Sequence, residues 1–326
     1  VELREKLIAL GHRFRTRSDT EVALHAYRAW GEAAFERMNG QWAIAIWDSI
    51  AGRLVLSRDR FGICPLHFCE HAGRLYFASE VKAIFAADPT IPRAFDPAGI
   101  DQTFTLWTVV PPQGVFQGIH EVVPGHVRTY QDGTVREQVF WQPSYPENFG
   151  SSQGEFTGSS DDAVERVRGA LEAATALRMV RADVPVGCYL SGGLDSSLVA
   201  TLGRRFAGRR FQTFSLRFAD AEYDETRFQR LVAEATGSEH HEVVVSRSDI
   251  AAIFPEVIYH TERPILRTAP APLFLLSRLV RERGIKVVLT GEGADEMFAG
   301  YDLFREGKVR RFWGHQPAST RRSRHS

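Results

Sequence analysis

Two short runs of this chain carry residue types suited to holding a phosphate anion. The first is Leu190-Ser191-Gly192-Gly193-Leu194-Asp195-Ser196-Ser197. It follows an apolar, strand-like stretch over 184–190 and precedes a helix whose pattern starts near Asp195. Glycines at 192 and 193 let the backbone pass close to a bound group, and a helix start behind them offers free N–H donors and the positive end of its dipole. No Lys follows the glycines, so the run departs from the G-x-x-x-x-G-K-S/T phosphate loop. The second run is Thr290-Gly291-Glu292-Gly293-Ala294-Asp295-Glu296, again directly after an apolar strand-like stretch. Ligands of open parallel sheets gather outside the carboxyl ends of the strands, so both turns are expected to face one crevice. Asp195 and Asp295 would there hold Mg2+ on a phosphate leaving group, because Mg2+ takes one or two carboxylates together with phosphate oxygens. Glu292 is left for acid–base or orienting work.

The elements that must position these turns read as βα alternation from Asp161 onward. A helix is expected over about 163–181, strands over 184–190, 211–218, 242–245 and 285–289, and helices over 225–236 and about 272–283. Continuous apolar strands separated by helices imply a parallel sheet covered on both faces. The front of the chain reads differently. Strands over 41–48, 53–57, 66–69 and 74–78 are short and broken by turns such as His71-Ala72-Gly73, as in an antiparallel sheet. Leu3, Leu7 and Leu10 mark a first helix, and Ser18-Asp19-Thr20-Glu21 has capping-box spacing for a second. The division expected is an α+β domain over 1–141, a Pro-, Gly- and Ser-rich linker over 142–160, an α/β domain over 161–313, and an irregular basic tail over 314–326.

Bulk composition excludes several classes. Among 326 residues, 40 basic side chains balance 40 acidic ones, which leaves no electrostatic footprint for nucleic acid or an anionic membrane. No apolar run approaches the roughly 18 residues that span a bilayer. Cys64, Cys69 and Cys188 lie in strand-like apolar runs without metal-ligand spacing, so they read as buried, reduced thiols of a cytoplasmic protein. His240 and His241 are neighbours near a strand, point to opposite faces and cannot chelate one metal.

The S-G-G-x-D-S run resembles the pyrophosphate loop of the ATP pyrophosphatase group. Taken with Thr290–Tyr301 (T-G-E-G-A-D-E-M-F-A-G-Y), it is similar to the synthetase domain of the glutamine-hydrolysing asparagine synthetase family. Upstream, Phe14–Val22, Met38–Asp48, Arg58–Gly62, Pro65-Leu66, Phe77–Lys82 and Val123–His126 resemble the later part of that family's N-terminal-nucleophile glutaminase domain. The resemblance implies ATP and Mg2+ as cofactors, and aspartate with glutamine or ammonia as substrates. Aspartate's β-carboxylate would be adenylated and then amidated by ammonia. Ser191, Gly192, Gly193, Asp195 and Ser196 would hold pyrophosphate; Leu190 and Leu216 would line the adenine and ribose; Thr290 and Gly291 would touch the nucleotide. Glu292 would assist formation of the acyl-adenylate or deprotonate ammonia, Asp195 and Asp295 would take the metal, and Asp19 would bind the amino group of glutamine. A second copy of the chain, as a homodimer, is the one macromolecular partner expected.

The chain departs from the family pattern at both ends. It begins with Val1 where an N-terminal nucleophile needs Cys, and it lacks the glutamine-binding Arg and Asn-Gly-Glu segments and the later catalytic Lys. Taken as it stands it is expected not to hydrolyse glutamine. Two rival readings follow: a relative that joins another carboxylate or amine, as an amide- or lactam-forming ligase, and an inactive nucleotide-binding remnant.

Overall fold

The computed structural model describes residues 2–144, 156–208, 210–220 and 225–314. They form two compact units. The first holds the described residues up to 144 together with Ile258–Arg267; the second holds the rest.

In the first unit α1 (Glu2–Ala9), α2 (Asp19–Trp30) and α3 (Ala34–Arg37) precede four strands, β1 (Ala43–Asp48), β2 (Arg53–Arg58), β3 (His67–His71) and β4 (Arg74–Ala78). Then come α4 (Val81–Ala87), α5 (Pro97–Leu106), β5 (Ile119–Glu121), β6 (His126–Gln131) and β7 (Thr134–Val139). Two antiparallel sheets result, ordered β1-β2-β6-β7 and β4-β3-β5. Alternation along β2 explains how they stack. Val55 packs with Leu7, Ala26 and Phe35 of the helices, while its neighbour Leu56 packs with Phe68 of the second sheet and with Val122 just beyond it. Ile84 and Phe85 of α4 cover that sheet's other face through Cys69 and Ile119. The layers are therefore helix, sheet, sheet, helix.

Glu262 also belongs to this unit. Its carboxylate accepts the N–H groups of Val81 (2.7 Å) and Lys82 (2.6 Å), which α4 leaves without an intrahelical partner, and it pairs with Lys82 Nζ at 3.3 Å. Beside it Phe85, Phe95, Phe116, Tyr259 and Ile265 line a cavity of about 470 Å³.

The second unit contains α6 (Ser160–Val180), β8 (Val186–Tyr189), α7 (Leu194–Phe206), β9 (Gln212–Phe218), α8 (Thr226–Thr236), β10 (Glu239–Val245), α9 (Arg247–Thr261, whose end counts with the first unit), α10 (Pro270–Glu282), β11 (Val287–Leu289), α11 (Ala294–Phe298) and α12 (Asp302–Gly314). All four strands run parallel in the order β10-β9-β8-β11. Cys188, Phe211 and Leu289 pack with Ala200 and Ala233 of α7 and α8 on one face; Phe214 and Ile285 pack with Leu276 and Val280 of α10 on the other. The chain steps from β8 to β9 to β10 in one direction and then returns to place β11 on the far side of β8. The boundary between β8 and β11 is thus the point where the winding reverses, the position at which open parallel sheets take ligands beyond the carboxyl ends of their strands.

The covered parallel sheet and the α+β front unit agree with the sequence reading. Several boundaries do not. The linker expected to 160 ends earlier, because Ser159 caps α6: its Oγ accepts from Asp162 N at 3.1 Å, and the Asp162 carboxylate accepts from Ser159 N at 3.0 Å. Residues 145–155 of that linker and 315–326 of the tail lie outside the described residues. Ser18 does cap α2, accepting from Thr20 N, but Glu21 does not close a box; it reaches further back, to Arg15 and Thr16. Cys64 is in a loop rather than a strand. Among the described residues no helix is long and apolar enough to cross a membrane.

Candidate active site

Strand β8 runs straight into the first glycine turn, and its end is fixed before the turn begins. Leu190, only 1 % exposed, donates its N–H to Phe214 O at 2.8 Å and accepts the Ser215 hydroxyl on its carbonyl. Gly192 has φ +89°, a conformation that a side chain makes costly. A Cβ there would also stand 3.0 Å from Phe228 Cβ and 3.2 Å from Gln229 N, so the turn lies directly on α8. Serines knit the rest. Ser196 Oγ accepts Ser191 N at 3.1 Å and sits 2.8 Å from Ser191 Oγ, while Ser197 Oγ donates to Gly193 O at 2.6 Å. Gly193 caps α7 without a side-chain acceptor, leaving the first N–H groups of that helix free for an external anion.

The second turn leaves β11 at the matching level, since Leu289 pairs with Cys188. Gly291 then touches the first turn. A Cβ on it would stand 3.0 Å from Asp195 Cβ and 3.0 Å from Ser196 N. The two motifs, read separately from sequence, thus meet backbone to backbone at the winding reversal. Gly293 (φ +92°) starts α11, and Asp295 folds over Gly300 so closely that a Cβ there would fall 1.9 Å from Asp295 Oδ1. Thr290 and Glu292 are exposed, Asp195 and Asp295 half-buried. Leu216, half-buried on β9, offers its carbonyl to Gln229 Nε2 at 2.9 Å. Gln229 and Ser215 were not anticipated from sequence; both act through contacts to backbone carbonyls far along the chain, which no local pattern announces.

Neither Asp195 nor Asp295 makes an ion pair among the described residues, and no group of three or more His, Cys, Asp or Glu side chains there could hold a metal unaided.

Asp19 lies in the first unit, exposed on the first turn of α2. The loop before it is gripped from two sides. Arg4 donates to Thr16 O (2.8 Å) and Ser18 O (3.1 Å), and the Glu21 carboxylate accepts from Arg15 N, Thr16 N and Thr16 Oγ1. These bonds, the Thr16 hydroxyl foremost, pull the Glu21 pKa down to about 2. The thiols are unsuited to chemistry: burial pushes Cys188 up to about 12 and raises Cys64 and Cys69 as well.

Comparison with known proteins matches these two parts to two family models. Residues 1–141 match the glutamine amidotransferase domain, and 166–326 match asparagine synthase. Asparagine synthetase (glutamine-hydrolyzing) 1 of Bacillus subtilis (strain 168) is 34% identical over 94% of this chain and 46% of its own length. Asparagine synthetase (glutamine-hydrolyzing) 3 of the same organism is 32% identical over 94% of this chain and 51% of its own. Amidase chyE of Penicillium rubens is 32% identical over 88% of this chain and 44% of its own. The chain spans about half the length of the curated relatives it matches. With an amidotransferase domain followed by an asparagine synthase domain, this chain belongs to the glutamine-hydrolysing asparagine synthetase family.

Proposed function

We propose that the chain serves a carbon–nitrogen ligase that makes asparagine from aspartate, ATP and glutamine-derived ammonia. The observation that carries this reading is the packing of Gly291 against Asp195 and Ser196, which joins two phosphate-type turns into one site. The front domain is read as an N-terminal-nucleophile-type glutaminase over 1–141, and the α/β part over 161–313 as an ATP-pyrophosphatase-type domain.

The free N–H groups at the start of α7, with the Ser191 and Ser196 hydroxyls, bind the β- and γ-phosphates. Leu216 lines the adenosine, and Leu190, 1 % exposed, supports that edge from the core. The aspartate β-carboxylate attacks the α-phosphorus, the bond to the β-phosphate breaks, and pyrophosphate stays in the glycine turn. Activation is needed because a free carboxylate is a poor electrophile and its oxygen a poor leaving group. Ammonia then adds to the acyl carbon, Glu292 takes its proton, and AMP leaves. Asp195 and Asp295 are the residues that would hold Mg2+, which when bound neutralises charge developing on pyrophosphate. Asp19 binds the glutamine amino group in the amidotransferase domain. The alternative reading keeps the ATP chemistry and joins another carboxylate or amine.

Isotope exchange between pyrophosphate and ATP tests the reading. Aspartate-dependent exchange is expected, and Asp195→Ala should abolish it. Exchange supported by other carboxylates but not aspartate would replace the acceptor, and exchange unaltered by the substitution would remove Asp195 from the mechanism.

A further inference from the structure

Gln229 is a polar side chain only 3 % exposed, set in the first turns of α8. Its Nε2 donates to Leu216 O at 2.9 Å and, more distantly, to Ser191 O at 3.4 Å. Those two carbonyls belong to the end of β9 and to the first residue of the glycine turn, 13 and 38 residues away in sequence. The same residue also forms the floor of the turn, since its N and Cγ, with Phe228 Cβ, are the atoms a Cβ at Gly192 would meet. One side chain therefore touches the turn, the strand beside it, and the helix beneath both.

This amide is badly placed for stability alone. Its Oε1 is buried and has no hydrogen-bond partner among the described residues. A buried acceptor left unpaired is costly, so the amide gives back part of what its two donated bonds contribute. What the amide uniquely supplies is a pair of N–H bonds that fix where two carbonyls point.

We propose that Gln229 is a positioning residue: it staples the glycine turn to the end of β9 so that the phosphate-binding and nucleoside-binding edges of the site keep one fixed spacing. This deepens the nucleotide reading given above and rests on it. Gln229 does not touch the ligand; it sets the geometry of Ser191 and Leu216, which do.

The test uses the whole chain and two probes, ATP and inorganic pyrophosphate, with Kd from titration calorimetry and thermal unfolding recorded without ligand. Gln229→Met keeps the length and packing and removes both donors. It should weaken ATP by about tenfold, the scale of losing hydrogen bonds that orient a site, with the ligand-free melting curve showing that the variant is folded at the temperature of the titration. Gln229→Glu supplies a second readout. Its carboxylate faces two carbonyl oxygens, so ATP binding should be weak at neutral pH and recover as the pH falls and the acid regains a donor, whereas wild-type affinity does not follow that profile. Wild-type affinity for both probes in the folded Gln229→Met and Gln229→Glu proteins, whatever their melting temperatures, would reduce Gln229 to a packing residue and overturn the proposal. A wild-type chain that binds neither probe would remove the nucleotide reading, and this inference with it.

Discussion

At the scale of single residues, the site depends on atoms that are missing. Gly291 carries no Cβ, and the space where one would stand is bounded by Asp195 Cβ and the Ser196 backbone at 3.0 Å. Gly291→Ala must push the two turns apart, at an overpacking cost of about 1–3 kcal/mol, and should weaken ATP binding along with stability. Calorimetric titration with ATP, paired with urea unfolding, separates the two effects; undiminished ATP affinity would mean that the turns need not touch. The two glycine turns were legible in the sequence because each is local: strand, glycines and helix start fall within ten residues or so of one another. Gln229 was not, because its partners are one strand carbonyl and one turn carbonyl that only the fold brings near. Ser215, one residue from the anticipated Leu216, escaped notice for the same reason, since its hydroxyl serves the carbonyl of Leu190.

At the scale of elements, the interiors of the helices and strands that the sequence announced were readable and their ends were not, while α4, α5, α9 and α12 were not anticipated. Helix α6 starts at Ser160 rather than near 163, because Ser159 and Asp162 exchange the two bonds of a capping box. The spacing was present in the sequence, but the surrounding Gly- and Ser-rich run read as linker. Ser159→Ala should cost about 1 kcal/mol of stability, seen as a shift in the urea midpoint. An unchanged midpoint would show that packing alone sets where α6 begins. Strand β10 was expected at Glu242 and starts at Glu239, in full register with β9 from Gln212. Its first residues are polar, which hides the strand from a hydrophobicity reading, and pairing with a central strand overrides that. His240 there contacts Thr213 Oγ1 at 2.8 Å, whereas His241 stacks on the neighbouring Phe214, consistent with opposite faces.

For the molecule as a whole, titration reads out the same burial. Burial pushes the pKa values of His67, His240 and His241 below 6.5, so the folded protein keeps them neutral where the unfolded chain takes up protons. Stability must then rise with pH up to about 6.5 and level off above it. Glu21 and Asp88, both lowered to about 2 by hydrogen bonds, add a second loss of the same sign as the pH drops from about 4.5 toward 2. Melting temperatures recorded from pH 3 to 8 should show both slopes, and a profile flat through 6.5 would contradict neutral buried imidazoles. The order of the two parts was legible because each has its own periodicity, but their boundary in the fold was not. The segment Ile258–Arg267 lies within the span matching asparagine synthase yet folds with the amidotransferase part, its Glu262 closing the start of α4. Such a borrowed segment makes the two parts inseparable by a single cut. A gene divided anywhere between 142 and 160 would yield a front piece with the first N–H groups of α4 bare and Phe85, Phe95 and Phe116 stripped of cover. Exchanging that piece between relatives would then require carrying this distant segment along with it.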